Sequence, residues 1–116
     1  MKRNIEMKYF RGEALIKFGR FRADGSWAIQ LIDSQTGECI ASPSACMIDY
    51  AGVRRPTMEQ TWIKGYSENE GAKEALIKAG VIKEEIVQTF LNMHDAPFYL
   101  CTLTPEAIQI ANAREG

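Results

Sequence analysis

Residues 13–33 read EALIKFGRFRADGSWAIQLID, two β-prone runs joined by a turn. Asp24-Gly25 is the hairpin signal, because both residue types tolerate positive φ. On its C-terminal side Trp27, Ile29 and Leu31 fall on one face and Ala28, Gln30 and Ile32 on the other, the period of a strand. On its N-terminal side Gly19 interrupts the run, and a bulge or added twist is expected there. The alternation sets the first elements as antiparallel strands.

Outward from this pair, DSQTGE (33–38) forms a second turn with Gly37 in the left-handed position. CIASPSACMIDY (39–50) follows as a third strand, which Pro43 either confines to a sheet edge or breaks. Residues 13–49 therefore read as a three-stranded antiparallel meander. AGVRRPTMEQ (51–60) is a loop, and TWIKGY (61–66) is a short strand.

GYSENEGAKEALIKAG (65–80) is the strongest helical segment. Ser67 and Glu70 fit the S-x-x-E capping box, which places a helix over 68–79. Ala72, Ala75, Leu76 and Ala79 make a narrow apolar stripe. Glu74 and Lys78 stand at i, i+4. Gly80 ends the helix in the left-handed conformation, with Val81 beyond it. Gly71 is not accounted for, since within a helix it costs about 1 kcal/mol relative to Ala. Either the first turn lies against a neighbouring element there, or a partner approaches.

KEEIVQTFLN (83–92) suits a helix or a strand equally. PFYLCTLT (97–104) alternates as a strand. Thr104-Pro105 opens a C-terminal helix running to about residue 113, with Ala107, Ile108 and Ala111 inward. The expected fold is α+β: an antiparallel meander of four to five strands with two or three helices on one face. One domain spans 1–116, with 1–12 as a basic arm and 104–116 as the C-terminal helix and frayed end.

Composition excludes several function classes. At 116 residues the chain is long enough for one core without covalent staples. Cys39, Cys46 and Cys101 form no C-x-x-C, and His94 is the one histidine, so zinc spacing is absent and no metal or cofactor is expected. Neither G-x-G-x-x-G nor a P-loop occurs. No catalytic residue is assigned and the chain reads as non-enzymatic. Without an apolar h-region or a long apolar run, it is expected to be cytoplasmic.

Charge leaves two candidate surfaces. Residues 1–22 carry seven Lys/Arg against two Glu, and 23–116 seven against thirteen acids. The acidic candidate is a protein-binding patch of Tyr66, Glu68, Asn69, Glu70 and Gly71, with Glu74 beside it. The basic candidate is a nucleic-acid surface of Lys17, Arg20, Arg22, Arg54 and Arg55 near Phe18, Phe21 and Trp27. Its overall pI near 5.8 argues against it. Unpaired strand edges make a homodimer an open option.

Two stretches, WAIQLIDSQTGECIASPSACM (27–47) and IKGYSENEGAKEALIKAGVI (63–82), resemble a family of small uncharacterised bacterial proteins carried on plasmids, conjugative elements and prophages. The YSENEG helix start is the most specific part of the match. The chain departs from the family pattern around RRPTMEQ and VQTFLNMHD. The resemblance implies no enzymatic activity. It implies accessory cargo of mobile elements, whose small acidic proteins often inhibit host defence or regulatory complexes through protein–protein contacts.

Overall fold

A computed structural model describes residues 1–115. The fold is α+β, with a four-stranded antiparallel meander as expected. β1 (Lys2–Glu6), β2 (Arg11–Arg20), β3 (Trp27–Asp33) and β4 (Cys39–Ala41) lie side by side in chain order. The basic arm expected over 1–12 is instead built into this sheet. β1 pairs with β2 from Lys2↔Leu15 to Glu6↔Arg11, and Ile5 and Met7 are buried. The reason is apolar: Ile5 and Met7 supply core that charge counting overlooks.

The hairpin at 21–26 forms around Gly25 at φ 73°, with the Phe21 amide donating to the Ser26 carbonyl. The expected bulge at Gly19 is absent, because Gly19 pairs with Ala28 in unbroken register along β2 and β3. Pro43 breaks the third run. β4 ends at Ala41, and the chain crosses into a second sheet at β5 (Ser44–Ala45).

That second antiparallel sheet has the order β5-β6-β8-β7, with β6 spanning Gln60–Lys64, β7 Ile82–Leu91 and β8 Pro97–Leu103. The ambiguous 83–92 run is thus a strand, because Phe90, Thr89 and Ile86 register against Phe98, Tyr99 and Cys101. β7 is an edge strand. Its register shifts between Ile82 and Gln88, where Lys83, Glu84 and Glu85 are exposed. Charges and bulges of this kind blunt an edge against pairing with another chain.

The main core takes Ile16, Ile29 and Leu31 from the first sheet, Ile63, Cys101 and Leu103 from the second, and Leu76, Ala107 and Ala111 from the helices. α1 (Ala72–Lys78) packs on β1, β6 and β7, and α2 (Pro105–Glu115) on β2. Polar bonds join the sheets: the Ser44 hydroxyl accepts the Ile29 amide at 2.7 Å and donates to the Ile29 carbonyl at 3.4 Å, and the Thr61 hydroxyl donates to the Trp27 carbonyl at 2.6 Å. The Trp27 indole donates at 3.0 Å to the Met58 carbonyl, in the loop before β6.

The second sheet is buried on its other face too. There Met47, Trp62, Phe98 and Leu100 form a smaller core. The irregular chain over 46–59 straps across it. The Trp62 indole donates to the Arg54 carbonyl, and Gln88 accepts the Arg54 amide while donating to the Gly52 carbonyl.

Helix ends follow sequence where the signal is local. Gly80 (φ 77°) closes α1 in a Schellman motif, with Val81 N–H to Leu76 C=O and Gly80 N–H to Ile77 C=O. Thr104 caps α2 by accepting the Ala107 amide at 3.2 Å. Arg3 ties both ends together: it donates to the Ala79 carbonyl at the C-terminus of α1 and pairs with Glu106 in the first turn of α2.

Candidate interaction surface

The stretch expected to be the capped start of a helix folds as a separate turn. Ser67–Asn69 is a single 3-10 turn, Glu70 is extended at φ −62°, ψ 123°, and Gly71 at φ 89° precedes α1. The capping box does not form. Ser67 is itself left-handed at φ 56°, and its carbonyl, not its hydroxyl, takes the Glu70 amide at 3.1 Å. The Ser67 hydroxyl beside it, together with its own backbone amide, holds the Glu68 carboxylate below its ordinary range.

Gly71 is explained by a non-local contact. A Cβ there would lie 3.3 Å from Met7 Cα and 3.4 Å from the Lys8 nitrogen. The same approach lets the Lys8 amide donate to the Glu70 carbonyl at 3.1 Å. The chain just beyond β1 therefore runs directly behind the turn, which is the neighbouring-element alternative for Gly71.

The six candidate residues divide by exposure. Asn69 is buried at 1% exposure, with Oδ1 unbonded, so it anchors the turn and does not face outward. Tyr66 is half-buried, its ring edge-on to Phe98 at 5.3 Å, and burial pushes its phenol up. Glu70 is held by Lys8, with Oε2 at 3.1 Å from Nζ. Glu74 lies 3.5 Å from its helix neighbour Lys73, and Lys78 reaches Glu6 of β1 at 3.9 Å, so the expected Glu74–Lys78 pair is replaced by one contact within α1 and one to β1. Glu68 is exposed; the nearest cationic influence on it is Lys64. Lysines partly neutralise Glu70 and Glu74.

The basic candidates are only partly brought together. Arg20 lies flat on the Trp27 ring, its guanidinium carbon 3.8 Å from the centroid, and donates to the Gly25 carbonyl. Arg54 and Arg55 on the strap line a cavity with Asp24, so they meet the same hairpin turn from the other side. Arg22 is exposed on that turn. Lys17 stands apart on the outer face of the first sheet, opposite Gln30. Phe18 is edge-on to the buried Trp27 ring, which places both aromatics in the fold and away from a stacking platform.

Two features had no motif to announce them. Tyr50, Leu91 and Met93 are exposed around Phe90 and His94 and line an open groove of about 430 Å³. Tyr50 is distant in sequence from the other four, and the strap brings it to Phe90, at 5.6 Å. The second feature is the cavity at Asp24.

Cys101 is buried in β8, and burial pushes its thiol up to about 12, the reverse of an activated nucleophile. Among the described residues no group of three or more His, Cys, Asp or Glu is placed to hold a metal. Among the described residues no helix is long and apolar enough to cross a membrane. Comparison with protein-family models, with curated proteins and with solved structures finds no match for this chain.

Proposed function

We propose that this chain is a non-enzymatic interaction protein of a mobile genetic element, which binds a host protein or complex through the turn at Tyr66–Gly71. Inhibition of a host defence or regulatory complex is the form of action that the resemblance at YSENEG adds. The observation that carries the reading is the build of the turn. Two left-handed residues, Ser67 and Gly71, and a buried Asn69 define the backbone of the turn on which the exposed Glu68 sits. Left-handed non-glycine backbone, as at Ser67, costs on the order of 1–3 kcal/mol and persists where surroundings enforce it, often at functional positions. An exposed carboxylate on such a turn suits a basic partner surface, where charge steers association and register.

Nucleic-acid binding is the second reading. It draws support from the convergence of Arg20, Arg54 and Arg55 on the hairpin at Asp24. Affinity capture from a bacterial lysate, nuclease-treated and untreated, separates the two. The protein reading expects a partner retained after nuclease treatment. Recovery only with intact nucleic acid, falling steeply with salt, favours the arginines.

A further inference from the structure

Among the described residues the two sheets present four edge strands, and three of them are guarded against pairing. β4 and β5 are only three and two residues long. β1 carries Lys2, Arg3 and Glu6, and α1 packs on it. The fourth edge, β7, is ten residues long and divided. Its first half has the register shifts and the exposed Lys83, Glu84 and Glu85 that oppose pairing. Its second half has neither. Gln88, Thr89, Phe90 and Leu91 run in unbroken register with β8, and residues 86–93 include no charged residue, no Pro and no Gly. Beyond the ladder with β8, no backbone hydrogen bond engages Ile82–Leu91 among the described residues. Apolar side chains flank this free edge. Leu91 is 57% exposed and Met93 90%, and both line the open groove that Tyr50 closes on its far side.

A neutral, β-prone edge with apolar flanks is the kind that native proteins guard when nothing pairs with it. Here the guards stop at Glu85. The backbone of such an edge is matched by another strand. Charge indicates whose strand it is. Two copies meeting about a two-fold axis bring like residues together, so a charged edge repels itself and an uncharged one does not. The same neutrality gives this segment no charge with which to select a foreign strand. We propose that two copies of this chain pair antiparallel through residues 88–91, continuing the second sheet across a two-fold axis, with Leu91, Met93 and Tyr50 packed beside the joint. Because the other three edges are guarded, the assembly closes at two copies. The pairing is independent of the Tyr66–Gly71 reading, since it uses none of those residues.

The test is the mass of the full chain in solution, read by light scattering from micromolar to millimolar concentration. The mass is expected to rise to twice 13.1 kDa and no further. Thr89 is exposed within the paired segment. Thr89→Lys sets two ammoniums near the axis and should weaken association by about tenfold or more, with the dilute protein still folded. Thr89→Val, uncharged and β-prone, should keep the dimer. In the unaltered chain, amide exchange at residues 88–91 should slow as concentration rises, while exchange in β4 stays constant. A mass of 13.1 kDa at every concentration overturns the proposal. So does a dimer whose exchange at residues 88–91 ignores concentration, or one undiminished in Thr89→Lys. A dimer lost in Met93→Lys but kept in Thr89→Lys also overturns it, because the contact would then be apolar without strand pairing.

Discussion

Gly71 carries two constraints that an ordinary helical position does not impose: a φ of 89° and the backbone of Met7 and Lys8 within 3.4 Å of where a Cβ would sit. In a helix interior, Gly→Ala gains about 1 kcal/mol. At this position Gly71→Ala should instead destabilise, by about 1–3 kcal/mol, because left-handed strain and the close approach both act against it. Urea unfolding of the two proteins measures the sign, and a stabilised variant would contradict the turn described here. The sequence marks Gly71 as an anomaly but does not reveal its cause. The atoms it would meet lie more than sixty positions earlier in the chain, and local reading of S-x-x-E takes no account of them. Ser67 shows the same limit: its residue type fits a cap, and the backbone behind it decides otherwise.

Among elements, legibility follows the range of the signal. The Schellman end at Gly80, the Thr104 cap and the hairpin around Gly25 depend on contacts within a few residues, and all three are readable from the chain. β7 was ambiguous because IVQTF satisfies both periods, and its state is set by pairing with β8. The strap over 46–59 reads in the sequence as the end of a third strand to residue 50 followed by a loop, since Trp62 and Gln88, which hold it across the second sheet, lie outside it and carry no signal of that role. Gln88 makes two bonds to that segment, and a typical net hydrogen bond is worth about 1 kcal/mol. Gln88→Ala should therefore loosen the strap by roughly 1–2 kcal/mol, or about 5–30-fold in local opening. Amide hydrogen exchange at Arg54 should accelerate accordingly, with Leu100 and Leu103 in β8 little changed. Unaltered exchange at Arg54 would show that Trp62 and Tyr50 alone secure the segment.

For the whole molecule, the alternation around residues 13–33 led to the correct fold class and to the meander. The second sheet is harder to see, because its strands alternate little: Thr61, Trp62 and Ile63 are all buried, one face against the main core and the other against the strap. Charge asymmetry along the chain proved a poor guide to surfaces. The basic N-terminal residues interleave with acidic ones in space, as Lys8 with Glu70 and Arg3 with Glu106 show. What remains of the acidic patch is centred on Glu68, the exposed carboxylate that the turn presents and whose removal breaks no ion pair described here. Glu70 differs, being tied to Lys8 just beyond β1. The measurement that tests this assignment most directly pairs partner capture with equilibrium unfolding for Glu68→Lys and Glu70→Lys. Glu68→Lys should lose the captured protein while unfolding at the same urea midpoint. Glu70→Lys, which sets two lysine ammoniums together just beyond β1, should lower that midpoint only slightly, because so exposed a pair is largely screened by solvent. Full capture by a folded Glu68→Lys protein would contradict the account, and the turn would then be a structural connection between β6 and α1.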